Sequence, residues 1–252
     1  MTKLRKPLIF TLCLLPAAAV GGWFTAQMSI ANMDENTLAT AVQQVGSKEM
    51  VMLITTIQTI IYAVICGFFG YIIADKIGLI RPFRLDKKKT LITLLAGALC
   101  GMILSADAFT FARWIPELTD SYEASGRFDA PTWIASVLYG GVIEEVMLRL
   151  FFMSLLALIG WKLFCRKENA VPEKMLVISN IIAAALFAAE HLPATIQTFG
   201  HLTPMLLFRC FLINGALGIV FGRLYRKYGI QYAMLAHILT HIVSRTIWLI
   251  IF

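Results

Sequence analysis

Three charged residues lie within six positions of one another in a long apolar stretch, residues 131–164. Glu144, Glu145 and Arg149 belong to the run GGVIEEVMLRLFF, residues 140–152. A charge at the centre of a membrane-spanning helix costs about 2.5 kcal/mol or more, so three charges indicate a function or a compensating partner. Glu145 and Arg149 are four positions apart and share a helical face, where they can form an ion pair. Glu144 points about 100° away from that face and is predicted to be available for chemistry.

The composition of the chain is typical of a membrane protein. Hydrophobic residues make up 59% of the 252 positions and charged residues 15%, whereas soluble domains carry about 25% charged residues. The net charge of +7 arises from basic residues in short loops between apolar runs. This pattern is typical of membrane topology and argues against nucleic acid as a partner. The five cysteines have neither metal nor redox spacing and are predicted to be small buried residues.

Seven apolar runs predict the fold class: an all-α, polytopic helical bundle of about seven transmembrane helices, forming a single membrane domain over residues 1–252. The first run continues to Ile30 and is interpreted as an uncleaved span rather than a cleaved signal peptide. Sixteen of the 22 Lys and Arg residues fall in loops on one side of the predicted spans and three on the other. The positive-inside rule then places the N-terminus in the cytoplasm and the C-terminus outside. The chain is predicted to be a multi-pass protein of a bacterial plasma membrane.

Small residues at a spacing of four predict close contacts between helices. Gly97 and Gly101 form one such pair, and Gly218 and Gly222 form another. Faces of this kind let two helix backbones approach closely in lipid. We interpret both pairs as structural.

Other polar groups inside the spans are more numerous than a purely structural bundle needs. In or beside the spans lie Asp107, Glu190, Arg209, Arg245, His191, His237 and His241. Ion pairing of Glu190 with Arg209 or Arg245 would account for some of them, and Asp107 is close enough to a span end to be solvated. Neither explanation covers Glu144 or the three histidines.

A carboxylate in lipid with imidazoles from two other spans suits the activation of water. Desolvation raises the pKa of an unpaired carboxyl towards neutrality, where it can act as a general base. An imidazole can hold the same water and pass its proton to a leaving amine. Two further donors could bind the oxyanion that forms on an attacked carbonyl. The chemistry that this set suits best is peptide-bond hydrolysis.

The polar residues resemble the motifs of the CAAX-protease and bacteriocin-processing (CPBP, or Abi) family of intramembrane proteases. EEVMLR, residues 144–149, matches the EExxxR motif of that family, and FAAEH, residues 187–191, matches its FxxxH motif. The pair His237 and His241 stands where the family has HxxxN or HxxxD. The resemblance covers about residues 131–252. We therefore expect three motif-free spans in residues 1–130 and a catalytic core in residues 131–252.

The resemblance implies a role for each motif residue. Glu144 is expected to be the general base and His191 its partner on the catalytic water. Arg149 is expected to fix Glu145, which supports the site. Phe187 is expected to be a packing residue, one turn before His191.

The third motif departs from the family at its last position. The resemblance implies that His237 and the residue four positions later stabilise the oxyanion, and here that residue is His241 rather than Asn or Asp. A neutral imidazole can still donate a hydrogen bond. Zinc is compatible with the motifs, although the mechanism does not require a metal. If a metal is present, the expected ligands are Glu144, His191, His237 and His241.

The predicted function is an intramembrane endopeptidase that cuts a membrane-associated peptide or protein. Leader or signal peptides are favoured over CAAX tails as substrates, because prenylated proteins are not expected in a bacterial plasma membrane. One alternative is a non-catalytic scaffold or bacteriocin-immunity protein of the same fold, which His241 favours. Another is a proton-coupled transporter, which the lack of internal repeats disfavours. The predicted partners are the lipid bilayer and the substrate.

Overall fold

The computed structural model describes residues 4–84, 86–115, 118, 119, 122 and 126–252. In this part of the chain the structure is helical and contains no strand. The longer elements are α1 (Arg5–Ala31), α2 (Glu35–Val45), α3 (Lys48–Lys76), α4 (Lys87–Ala106), α5 (Ala130–Ala135), π1 (Ser136–Glu144), π2 (Val146–Met153), α6 (Ser154–Phe164), α7 (Glu173–Glu190), α8 (Leu192–Phe199), α9 (Pro204–Tyr228) and α10 (Ile230–Ile251). Two short 3₁₀ helices, Asp107–Phe109 and Phe111–Arg113, follow α4. The all-α fold class is confirmed.

Six helical stretches of the described chain are long and apolar enough to cross a membrane. They are Arg5–Ala31, Lys48–Lys76, Lys87–Arg113, Glu173–Phe199, Pro204–Tyr228 and Ile230–Ile251. These six correspond to the first, second, third, fifth, sixth and seventh predicted spans. The fourth predicted span is an unbroken helical path from α5 through π1 and π2 to α6, but its winding changes between α and π. Residues 130–164 are called the motif segment below.

The motif segment lies at the centre of the bundle. Its π1 part packs against α1 and α10, and its π2 part packs against α3 and α7. Ile143, Val146, Leu150 and Met153 are completely buried in these contacts. The EEVMLR motif therefore lies on a segment that packs against α1 and α3, which carry no motif, and against α7 and α10, which lead to the histidines.

The helices α4 and α10 approach each other at the first predicted glycine pair. A methyl group on Gly97 would lie 2.7 Å from the carbonyl oxygen of Ala236. A methyl group on Gly101 would lie 2.7 Å from the Cβ atom of Val243. These distances are shorter than any van der Waals contact between such atoms, so the close approach requires glycine at both positions.

The second predicted glycine pair lies between α7 and α9. Gly218 faces Ala184, and the side chain of Asn180 occupies the space beside Gly222. The Asn180 amide donates a hydrogen bond of 3.0 Å to the carbonyl oxygen of Ile219. Both predictions of close helix packing are confirmed.

Two helices occur in stretches that were predicted as loops. The helix α2 begins after Asp34, whose carboxylate accepts a hydrogen bond of 3.0 Å from the backbone N–H of Thr37. The helix α8 follows α7 directly at His191 and ends at Gly200, whose φ of +71° is left-handed. The Gln197 amide of α8 donates to the carbonyl oxygen of Ser29 in α1 at 3.0 Å, and this bond holds the histidine-bearing turn against the first helix.

Candidate active site

Glu145 and Arg149 form a buried ion pair inside the motif segment, as their spacing predicted. The Nη1 atom of Arg149 lies 3.1 Å from Oε1 of Glu145, and the side chains are 1% and 0% exposed. A second guanidinium nitrogen, Nη2, donates at 3.4 Å to the carbonyl oxygen of Gly218 in α9. The Oε2 atom of Glu145 is buried and has no hydrogen-bond partner within the described chain.

The guanidinium group of Arg149 lies between two aromatic rings. Its Cζ atom is 4.3 Å from the ring centroid of Phe187 in α7 and 5.5 Å from that of Phe221 in α9. Cations at these distances are attracted by the ring face. Arg149 is thus held by a carboxylate, a backbone carbonyl and two rings from three elements.

His237 binds the same carboxylate from α10. Its Nδ1 atom donates to Oε1 of Glu145 at 2.8 Å, and its ring stacks on Phe221 with 4.5 Å between centroids and 18° between planes. A carboxylate that accepts from Nδ1 orients the imidazole and leaves Nε2 as the nitrogen that faces outward. The residue that contacts both Arg149 and an imidazole is therefore Glu145, not Glu144.

Arg149, Glu145 and His237 form a row of contacting side chains. His241 extends this row by one helical turn of α10. Its Nε2 atom lies 3.1 Å from Nε2 of His237, and the two rings are roughly parallel, with 4.9 Å between centroids. One of the two Nε2 atoms must donate and the other accept. Gly140 in π1 provides the necessary room, because a Cβ atom there would lie 2.8 Å from Nε2 of His241.

His191 lies beside the row, at the junction of α7 and α8. Its Nδ1 atom donates to the carbonyl oxygen of Phe187 at 2.7 Å. The Phe187 ring contacts the His191 ring at 4.8 Å and the His237 ring at 5.7 Å, so it separates the two imidazoles. Because Nδ1 is used by the backbone, Nε2 is the His191 nitrogen that can meet water or a substrate.

Glu144 is half-buried at the end of π1, and within the described chain it forms no ion pair with Arg149 or His237. The carboxylate of Glu144 is close enough to that of Glu190, the last residue of α7, for the two negative charges to repel each other. Glu144 and His191 are both described, and no hydrogen bond joins them. The structure thus brings Glu145, Arg149, His237 and His241 into direct contact, and it leaves Glu144 and His191 at the border of this cluster.

The alternative ion pairs of Glu190 with Arg209 or Arg245 do not occur among the described residues. Arg209 binds Asp107 rather than Glu190: its Nε atom donates to Oδ2 of Asp107 at 2.7 Å. Asp107 is 1% exposed, so it is not solvated as its position near a span end predicted. Arg245 donates from Nε to the hydroxyl of Ser136 at 2.9 Å. Pairs between distant segments depend on packing that the spacing of residues does not reveal.

The predicted metal ligands do not fit a metal ion. Across the residues that the structure describes, no three His, Cys, Asp or Glu side chains are arranged to hold one. His237 uses Nδ1 for Glu145 and Nε2 for His241, so both of its ring nitrogens are already engaged. Glu144, His191, His237 and His241 therefore do not form a metal centre in this arrangement.

Three residues of the site were not predicted to be part of it. Phe187, which the sequence indicated as packing, separates two imidazoles and covers Arg149. Phe221 stacks on His237, and Gly218 supplies a carbonyl oxygen to Arg149. One pattern in the sequence could have indicated Phe221 and Gly218. Gly218, Phe221 and Gly222 lie on one helical face, at spacings of three and four.

Comparison with known proteins finds a family model that matches part of the chain. Residues 126–243 match the family model described as type II CAAX prenyl endopeptidase Rce1-like. No curated protein and no solved structure matches the chain. The matched residues include all three motifs and every side chain of the row from Arg149 to His241. This similarity of residues 126–243 agrees with the resemblance of the motifs to those of CAAX proteases.

Proposed function

We propose that the chain is an intramembrane endopeptidase that hydrolyses a peptide bond in a membrane-associated peptide or protein. The family of residues 126–243 supports a protease. The observation that carries the proposal is the contact of Glu145 with both Arg149 and His237. Through this contact, charged groups from separate motifs meet at one place inside the bundle.

The proposed reaction begins with water between Glu144 and Nε2 of His191. Glu144 takes a proton from the water, and the resulting hydroxide attacks the carbonyl carbon of the substrate. The carbonyl oxygen becomes an oxyanion, which the Nε2–H group of His241 stabilises. His237, whose single proton is held on Nδ1 by Glu145, orients the His241 imidazole through its Nε2 atom. The C–N bond then breaks, and the amine leaves with the proton that Glu144 took up. Half-burial of Glu144 supports its role, because a group enclosed in the bundle can still be reached by water.

Glu145 and Arg149 are positioning residues in this proposal. Glu145 accepts from Nδ1 of His237 and so fixes the tautomer and the direction of the ring, as the third member of a hydrolase triad does. Arg149 keeps the Glu145 carboxylate charged and in place. Phe187 and Phe221 hold Arg149 and both imidazoles at fixed separations.

A non-catalytic membrane protein of the same fold is the second candidate. It is favoured by the contact between Nε2 of His237 and Nε2 of His241. In this contact the proton that one imidazole could offer to an oxyanion is directed at the other imidazole. Catalysis requires the pair to open when a substrate binds, whereas a scaffold does not.

A cleavage assay on the purified protein separates the two candidates. The substrates are a farnesylated peptide with a CAAX tail and an unprenylated leader peptide, each with a fluorophore and quencher across the expected bond. We expect one of them to be cut, and we expect Glu144→Gln and His191→Asn each to lower the rate by roughly 10²–10⁴-fold.

Matched controls guard against general effects of substitution. Glu168→Gln and His201→Asn make the same chemical changes in loops outside the site, and both variants should keep the wild-type rate. A chelator should leave the rate unchanged, because the described residues gather no metal ligands. Full activity of Glu144→Gln would refute the catalytic assignment, and no cleavage of either peptide by a folded wild type would favour the scaffold.

A further inference from the structure

A strongly basic cavity lies at the end of the bundle where α4 and α10 begin and α9 ends. Its volume is about 570 Å³. The charged side chains around it are Arg81, Arg84, Lys87, Lys89, Lys227 and one acid, Asp86. Five cations around one cavity repel one another, and the repulsion falls when an anion enters.

The single acid of the cavity already has a structural task. The carboxylate of Asp86 accepts a hydrogen bond of 3.0 Å from the backbone N–H of Lys89 and so caps α4. Within the described chain, no carboxylate oxygen lies within 4 Å of the charged nitrogens of the five cations. The cavity therefore offers a net positive charge that the protein itself does not neutralise.

Buried side chains of α10 fix the loop that carries two of the cations. Tyr232 is 1% exposed, and its hydroxyl accepts from the backbone N–H of Asp86 at 2.7 Å. The Gln231 amide donates to the carbonyl oxygen of Pro82 at 3.0 Å. Because the loop is held in place before a ligand arrives, little ordering entropy is lost on binding.

An apolar cavity adjoins the basic one. Its volume is about 810 Å³, and Arg81, Pro82 and Gln231 line both cavities. Most of its other walls are apolar, among them Phe10 and Leu14 of α1 and Leu150 of π2, and the charged pair Lys6 and Asp75 also lines it. One molecule with an anionic head and an apolar chain could occupy both spaces across the shared residues.

We propose that the two cavities together bind an anionic phospholipid, with its phosphate among the five cations and an acyl chain in the apolar cavity. Basic pockets at the ends of membrane-spanning helices are suited to anionic headgroups. A soluble phosphate would use only the basic cavity and would leave the adjoining apolar surface uncovered. Nothing in this assignment depends on the peptidase reaction.

Native mass spectrometry of the full-length protein tests the proposal. The protein is released from nanodiscs made of equal parts phosphatidylglycerol and phosphatidylcholine, and the retained lipids are counted. We expect one tightly held phosphatidylglycerol. The triple variant Arg81→Gln, Arg84→Gln, Lys227→Gln should hold it roughly 100-fold more weakly, since each basic residue near a headgroup contributes about fivefold. All three substitutions keep the Cβ atoms and the loop hydrogen bonds.

The control variant has the same change in charge elsewhere. Arg166→Gln, Lys167→Gln, Lys174→Gln removes two cations from the loop between α6 and α7 and one from the first turn of α7. This variant should bind phosphatidylglycerol like the wild type. Equal loss in both triple variants, or equal retention of phosphatidylcholine, would overturn the proposal.

Two further probes distinguish a lipid from a soluble anion. Dihexanoyl phosphatidylglycerol should bind more weakly than the long-chain lipid, because its chains fill less of the apolar cavity. Inorganic phosphate at millimolar concentration should raise the thermal unfolding midpoint much less than the long-chain lipid does. Equal effects of phosphate and lipid would show that the cavity takes a soluble phosphate, and the lipid assignment would then be wrong.

Discussion

Arg149 is held by more contacts than any other charge in the site, so its removal has a large expected cost. In Arg149→Ala the carboxylate of Glu145 stays buried and loses its ion pair. We expect a loss of about 3–5 kcal/mol in the free energy of unfolding, because an uncompensated charge remains in the interior. Arg149→Lys should not restore stability, since an ammonium group cannot stack between Phe187 and Phe221 as a planar guanidinium does. Denaturant titration in detergent measures both.

The double variant Glu145→Gln, Arg149→Met is the matched control for this prediction. It removes both charges at nearly constant volume and should recover most of the lost stability, because no uncompensated charge remains. It should still lack peptidase activity, since the Gln side chain does not fix His237 as a carboxylate does. Equal stability of Arg149→Ala and the wild type would contradict the role of the ion pair.

His241 gives a second prediction, on activity rather than stability. His241→Leu removes a donor from the proposed oxyanion site and should lower kcat by roughly 10²–10³-fold with little change in KM. His241→Asn keeps an N–H donor and restores the residue that the family motif has, so it should retain most of the activity. The measurement is the initial rate on the cleaved peptide. A leucine variant as active as the wild type would exclude His241 from the oxyanion site.

The sequence predicted the contacts within one helix better than those between helices. The pair of Glu145 and Arg149 follows from a spacing of four, which fixes distance in any regular helix. The bond from His237 to Glu145 joins residues 92 positions apart, and no local pattern determines which of two adjacent carboxylates an imidazole will meet. Arg209 illustrates the same limit, because its partner Asp107 comes from another helix.

The contact of α4 with α10 makes a prediction about whole helices. Gly97→Ala places a methyl group 2.7 Å from the carbonyl oxygen of Ala236, and the two helices must separate to admit it. Overpacking of this kind costs about 1–3 kcal/mol, so the thermal unfolding midpoint should fall.

Gly215→Ala in α9 is the control for that substitution. Apart from the backbone of its own helix, no described atom lies within 4 Å of the position that its Cβ would take. Alanine favours a helix over glycine by about 1 kcal/mol. The midpoint of this variant should stay the same or rise. If both alanine variants had the same midpoint, the close approach of α4 and α10 would not limit stability.

The membrane-spanning helices were predictable because long apolar runs have few other conformations in lipid. The short helices α2 and α8 were not, since their sequences are polar or follow a proline. Asp34 before α2 was a usable sign, because an Asp followed by Glu35 is typical of a helix start. The π winding of the motif segment has no such sign in its composition.

The topology of the whole chain provides the fourth prediction. If the motif segment crosses the membrane like the six long helices, the chain has seven crossings and its termini lie on opposite sides. Alkaline phosphatase fused after Phe252 should then be active outside, and the same enzyme inserted at Lys167 should be inactive. The excess of Lys and Arg in the loops on the N-terminal side of the predicted spans supports this orientation. An inactive but stable C-terminal fusion would show that one segment does not cross.

The π winding of residues 136–153 also affects how relatives of this protein should be aligned. A π turn closes its hydrogen bonds over one more residue than an α turn. A homologue that is a plain α-helix here would need fewer residues per turn to place its motif side chains in the same positions. Single-residue gaps in this stretch should therefore be interpreted as changes of pitch, and they need not mean that a motif has been lost.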